Sequence, residues 1–192
     1  MVTQKLSPRV TQIFVIHKHS QESKVIQRHL YDRIFKHFQG TWEIRRSIPN
    51  YGKMEGLAFF EKNNTETDAL HYREEGVFTT LTNEKINAYR EYTYRYKDND
   101  ISVYFVDKNS EYGRTRTDRL FHTLKFNDPI SVGANIKATG EHFCGSDTYV
   151  ATYEFCNDDE FMIIYQVKGP AKDYVTSTLF KRTTKTETHI EQ

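Results

Sequence analysis

Arg46, Glu74, Arg90, His122 and His142 each lie in a stretch where alternate residues are apolar, and each falls on the apolar set. In a strand, alternate residues share a face, so this parity turns all five toward whatever the strands enclose. Trp42, Ile44 and Ile48 accompany Arg46; Leu70, Tyr72 and Gly76 accompany Glu74; Ile86, Ala88, Tyr92 and Tyr94 accompany Arg90. His122 stands beside Leu120 and Leu124, His142 beside Gly140 and Cys144, and Tyr165 beside Ile163 and Val167. An ionised group buried without a partner costs several kcal/mol, so these residues must pair, hold water or receive a ligand. Two arginines against one carboxylate leave a positive surplus. In one reading Arg46 and Arg90 fork onto the carboxylate or phosphate of a small anionic or amphipathic molecule. Tyr72, Tyr92, Tyr94, Asp147, Tyr149, Tyr165 and Lys172 would complete that site. In the other reading Glu74 pairs with one arginine in a hydrated internal network, and the second arginine lies near an open end.

The same groups suit acid–base chemistry: His122, His142 and Glu74 as bases, Tyr72 or Tyr149 as acid partners, and Arg46 or Arg90 as anchor. The reaction would be an isomerisation, cyclisation, hydration or hydrolysis; the alternative for both histidines is a hydrogen-bonded place in the core. Nucleophile-elbow, phosphate-loop and dinucleotide motifs are missing, so enzymatic activity stays open. His142, Cys144, Asp147 and His122 include zinc-type donors. Residues 142 and 144 nonetheless lie about 6.6 Å apart along a strand. Asp147, beside a tight turn, is expected to bond backbone amides instead. Neither a metal nor a cofactor is expected.

One helix and a series of strands must position these residues. Val25, Ile26, Leu30, Ile34, Phe35 and Phe38 recur at helical spacing, predicting a helix over 23–38 with Ser20 or Ser23 as cap and Gly40 beyond its end. From Gly40 onward the period is two, broken by turn signals such as Pro49-Asn50-Tyr51-Gly52, Lys97-Asp98-Asn99-Asp100 and Gly145-Ser146. The spacing predicts about ten strands, over 40–48, 53–62, 69–76, 86–97, 101–107, 118–126, 136–144, 148–155, 161–168 and 173–182. Antiparallel strands of this number close most readily into a barrel, which removes exposed edges. The chain reads as an extension over 1–20, one barrel domain over 21–183 and a polar tail over 184–192.

Gly40-Thr41-Trp42 directly after the helix resembles the Gly-x-Trp opening strand of calycins, the superfamily of lipocalins and fatty-acid-binding proteins. Arg182 matches the basic residue that stacks over that tryptophan. The resemblance implies a mainly β, antiparallel calycin-like barrel in which Gly40, Trp42 and Arg182 close one end. A wider series includes Phe38-x-Gly40-x-Trp42-x-Ile44-x-Arg46, Gly56-x-Ala58, Tyr72-x-Glu74-x-Gly76, Arg90-x-Tyr92, Phe121-His122-x-Leu124, His142-x-Cys144-x-x-Asp147-x-Tyr149 and Val167-x-Gly169-Pro170-x-Lys172-Asp173-Tyr174. It is similar to an uncharacterised family, the domain of unknown function 6314, which singles out these positions and assigns them no activity.

Composition narrows the partners. Lys+Arg 27 against Asp+Glu 26 gives a net charge of +1, so no whole-chain field favours nucleic acid. The run Ile13-Phe14-Val15-Ile16 is too short for a signal peptide, no segment approaches a membrane span, and a cytoplasmic, soluble protein is expected. Cys144 and Cys156, on the order of 26 Å apart along a strand, are expected to be reduced. Lys172 and Asp173 read as turn charges, or Lys172 as a cation at a barrel mouth; the arginines of 111–119 read as a solvated loop that could touch phosphates. A third hypothesis is a filled interior and a working outer face with Phe59, Tyr89, Phe121 and Phe143 exposed. The oligomeric state is left open.

Overall fold

Alternation over strand after strand gives each segment one apolar edge to bury, and successive segments bury it by folding back on one another. The computed structural model describes residues 25, 28–64, 66–109, 114–127 and 136–183. A helix, α1, is described over 28–38. It is followed by β1 (Gly40–Ile48), β2 (Gly52–Lys62), β3 (Ala69–Thr80), β4 (Lys85–Lys97) and β5 (Asp100–Phe105). A two-stranded ribbon comes next, β6 (Asp107–Asn109) with β7 (Arg114–Arg116). The chain then runs through β8 (Leu120–Phe126), β9 (Ile136–Cys144), β10 (Asp147–Asn157), β11 (Glu160–Gly169) and β12 (Lys172–Arg182). Ten of these strands form a closed antiparallel barrel in the order β1-β12-β11-β10-β9-β8-β5-β4-β3-β2. The Asp98-Asn99 turn between β4 and β5 has positive φ at both residues, as a tight hairpin requires.

The end of α1 plugs one mouth. Phe38, fully buried, packs on Phe60 and Tyr94 at 5.2 and 5.3 Å and meets Phe155 and Phe161 edge-on. Trp42 donates its indole N–H to Phe38 O at 2.8 Å. Arg182, opposite Trp42 in the β1–β12 register, lies 4.1 Å over the Trp42 ring and donates to the His37 and Gln39 carbonyls. Those carbonyls lie at the helix end, where the ladder runs out of donors. Gly40 has φ +128, and a side chain there would crowd Arg182 at 3.0 Å. Gly40, Trp42 and Arg182 thus meet at this plugged mouth, the base of the barrel.

Above that base, four rings cross the interior from β3, β4, β8 and β11. Tyr72 stacks on Tyr92 at 6.1 Å, Tyr92 on Phe121 at 5.3 Å and Phe121 on Tyr165 at 5.9 Å, with interplanar angles of 20°, 10° and 18°. The slab divides a packed lower core from an upper end rimmed by the turns after Ile48, Thr80, Cys144 and Gly169.

The expected strands are found, with three corrections. The ladder between β5 and β8 slips between Val103↔His122 and Tyr104↔Leu120, so Phe121 is an extra residue. Such a bulge turns two neighbours out of strict alternation. Phe121, expected outside, is therefore 7 % exposed, while Leu120, expected inside, is 47 % exposed. Phe59, expected on the outer surface, is half-buried beneath the Arg73 guanidinium at 4.4 Å. The strands expected over 101–107 and 118–126 stop at Phe105 and begin at Leu120, and part of the expected loop between them is the β6–β7 ribbon. Tyr89 and Phe143 are exposed as expected, and both cysteines are exposed and free. The helix caps, the extension over 1–20 and the tail over 184–192 lie outside the described residues.

Candidate functional site

All five inward-facing ionisable residues share the barrel's inner parity, and three of them meet. Arg46 forks onto Glu74, Nη1 to Oε1 at 2.7 Å and Nη2 to Oε2 at 2.6 Å, while its Nε donates to Thr178 at 2.7 Å. Tyr72 donates its hydroxyl to the same carboxylate. Arg46 reaches from β1 to β3 across β2, where its partner in the ladder is the buried Met54, whose Sδ lies 3.5 Å from Arg46 Nη1. Glu74 is 2 % exposed, and burial by itself would raise its pKa. The Arg46 fork outweighs that, aided by Arg90 and Tyr72, so the pKa lies below the ordinary value and the group stays ionised near neutrality.

Arg90 is different. Its Nε is 3.9 Å from Glu74 Oε1, its guanidinium lies 6.0 Å over Tyr92, and its side chain is 47 % exposed. Among the described residues nothing hydrogen-bonds that guanidinium. The polar interior between the arginines, walled also by Tyr92, Tyr94 and Tyr165, offers a free volume of about 20 Å³, the space of one water. Of the two readings of the arginines, the geometry shows the internal pair with Arg46 and leaves Arg90 as the surplus charge facing upward.

The histidines occupy two levels. His122, 2 % exposed, has Nε2 3.0 Å from the Tyr153 hydroxyl, which in turn lies 3.2 Å from Tyr94. Burial, reinforced by nearby His142, lowers the His122 pKa to about 3. His142 is half-buried higher up, edge-on to Phe105 and Phe121 at 5.4 and 5.0 Å. No three His, Cys, Asp or Glu side chains are grouped for a metal ion among the described residues.

At the rim, Lys172 donates to Asp147 at 2.6 Å and to Tyr149 at 2.8 Å, tying the Cys144–Asp147 turn to the Gly169–Lys172 turn. Asp147 was expected to bond backbone amides; it holds the lysine instead, and Gly169 makes room, since a Cβ there would stand 1.8 Å from Asp147 Oδ1. The hydrogen bonds raise the Lys172 pKa, so the ammonium persists. Beside it opens a cavity of about 300 Å³ lined by Ile48, Tyr51, Phe78, Ala171, Lys172 and Tyr174. The arginines of the expected phosphate-contacting loop are engaged locally where described: Arg116 with Asp118, and Arg119 with Asp107 and the Phe105 ring.

Residues 38–182 match the Family of unknown function (DUF6314). The chain belongs to that family. No curated protein matches this DUF6314 chain. Its fold is that of the S-type phycobiliprotein lyase CPES from Guillardia theta, with a TM-score of 0.54 at 12% identity over 80% of this chain and 92% of that one. A redesigned β barrel, mFAP1, bound to DFHBI, matches at a TM-score of 0.39 and 10% identity over 77% of this chain and 97% of that one. In the DUF6314 barrel, Tyr153, Phe105 and Phe78 join the interior without having been singled out. Tyr153 and Phe78 continue the parities of Tyr149 and Glu74, so the signal for them was present. No helix among the described residues is long and apolar enough to cross a membrane.

Proposed function

We propose that the barrel binds a small amphipathic molecule bearing one acidic group, with the acid directed at Arg90 and the apolar body in the cavity at the open end. The observation that carries this reading is the Arg90 guanidinium, which makes no hydrogen bond to a described residue while Arg46 occupies both oxygens of Glu74. A cation in that position favours an anionic partner, and its planar fork suits a carboxylate. The two spaces differ in a way that matches such a ligand. The slot beside Arg90 admits little more than a single oxygen, whereas the rim cavity of about 300 Å³ is walled by Ile48, Phe78 and Tyr174. Phe78 lies four residues beyond Glu74, the cross-strand partner of Arg90, so the two spaces are about 13 Å apart along the strand. Lys172, His142 and Tyr149 would flank the passage; Arg46, Tyr72 and Tyr94 would act as its floor rather than as direct contacts.

Acid–base catalysis by the same residues has weaker support. Both oxygens of Glu74 are already bonded, and a histidine with a pKa of about 3 is a poor base near neutrality. The test is displacement of the anionic fluorophore 8-anilinonaphthalene-1-sulfonate by decanoate and by decanol. Arg90→Met should weaken decanoate at least tenfold and leave decanol unchanged. Equal decanoate affinity in both proteins, or no displacement at all, overturns the proposal.

A further inference from the structure

Three side chains of fixed charge line the polar interior together: Arg46, Glu74 and Arg90. Arg46 gives both terminal nitrogens to Glu74, at 2.7 and 2.6 Å, so its charge is already answered. Arg90 stands 3.9 Å from the same carboxylate through Nε, and its half-exposed side chain remains within reach of a ligand. The polar groups around them add no charge. Burial raises the pKa of Tyr72, Tyr92 and Tyr165, so each keeps its proton. Burial also keeps His122 neutral, its pKa lowered to about 3. At the rim, Lys172 is matched by Asp147 at 2.6 Å. These groups leave a surplus of one positive charge, and Glu74 is the residue that holds it at one rather than two.

The size of that surplus decides what a ligand can carry. Attraction to a fixed cation grows in proportion to the ligand's charge, whereas the cost of taking that charge out of water grows as its square. One negative charge is balanced by Arg90. A second meets no further unpaired cation among these groups, and it is repelled by Glu74.

We infer that the site selects its ligand by charge, accepting a monoanionic head such as a carboxylate or a sulfate ester and rejecting the dianionic head of a phosphate monoester, with Glu74 as the specificity-determining residue. Glu74 is 2 % exposed and does not touch the ligand; it acts through the Arg90 guanidinium and through its own field. Residue types leave carboxylate and phosphate equally open for two arginines, and the count of charges separates them. The inference rests on the reading that Arg90 receives the acid.

Decyl sulfate and decyl phosphate share a chain and a tetrahedral head, and at about pH 8.5 the first carries one negative charge and the second two. Histidines are uncharged at that pH and do not enter the count. Displacement of 8-anilinonaphthalene-1-sulfonate from the full-length protein should give decanoate and decyl sulfate similar affinities, and decyl phosphate one at least about tenfold weaker. In Glu74→Gln, where Arg46 becomes a second unpaired cation, decyl phosphate should gain at least about tenfold relative to decyl sulfate. A barrel that is merely loosened would weaken both ligands alike and leave that ratio unmoved. Equal affinity of the unaltered protein for the two esters, or a ratio unchanged by Glu74→Gln, overturns the inference and leaves the Arg90 reading standing. The first of these comparisons needs no variant, so it decides the matter even if Glu74→Gln fails to fold. If Arg90→Met binds decanoate as tightly as the unaltered protein, the Arg90 reading falls and the inference falls with it.

Discussion

The ring of His122 stands where a side chain at Gly140 would be: a Cβ built on that glycine would lie 2.3 Å from His122 Cδ2. The two face each other across β8 and β9, whose ladder pairs Lys125 with Thr139 and Phe126 with Ala138. Gly140→Ala therefore has to displace the imidazole from Tyr153 or spread the two strands. Overpacking of this kind costs about 1–3 kcal/mol. Urea unfolding of Gly140→Ala, His122→Ala and the double variant should show a double variant clearly more stable than the sum of the singles predicts, because removing the ring removes the clash. Simple additivity would refute the contact.

Arg46 and Glu74 make the second prediction. Removing one partner of a buried pair leaves the other uncompensated and costs about 3–5 kcal/mol, far more than the pair's net contribution. Arg46→Met should approach that loss in a denaturant titration. Adding Glu74→Gln should restore much of it, since the amide carries no charge and its oxygen still accepts from Tyr72. If Arg46→Met costs less than about 1 kcal/mol, water reaches the carboxylate and the interior is wetter than the fork implies.

The rim makes the third. With Lys172 joining Asp147 and Tyr149, Lys172→Met should loosen the Gly169–Lys172 and Cys144–Asp147 turns without disturbing the base. Amide exchange in these two turns should quicken while the amides around Trp42 keep their protection. Uniform loss of protection would contradict a local role.

Much of this barrel was legible because period two survives in nearly every strand and the inner set is richer in large apolar residues. Parity gives a face but not a height. It turned Arg46, Glu74 and Arg90 inward, yet Glu74 is opposite Arg90 in the β3–β4 register and forks instead with Arg46, two strands away. That choice joins strands that are not neighbours in the sheet, which parity along each strand does not show. The bulge at Phe121 adds a residue without any turn signal, so alternation alone put Phe121 outside. The Lys172–Asp147 bond joins turns 25 residues apart, a distance over which local patterns carry no information.

The interior also fixes how stability responds to acid. His122 has a folded-state pKa lowered to about 3, whereas the unfolded chain takes up that proton near 6.5. Between those values the unfolded state binds more protons, so stability falls as pH drops, by up to about 1.4 kcal/mol per unit from His122 alone. His37, lowered in the same direction, adds to this limb. Glu74 acts lower down: its pKa lies below the ordinary 4.5, so its contribution is full above that value and is lost as pH falls through the folded-state pKa. Urea midpoints measured from pH 7 to pH 4 should decline from about 6.5 downward. In His122→Gln the decline between 6.5 and 4.5 should shrink to the share left by His37, with the Glu74 limb intact. A profile unchanged by that substitution would mean that His122 gains its proton without unfolding, through water admitted from the open end.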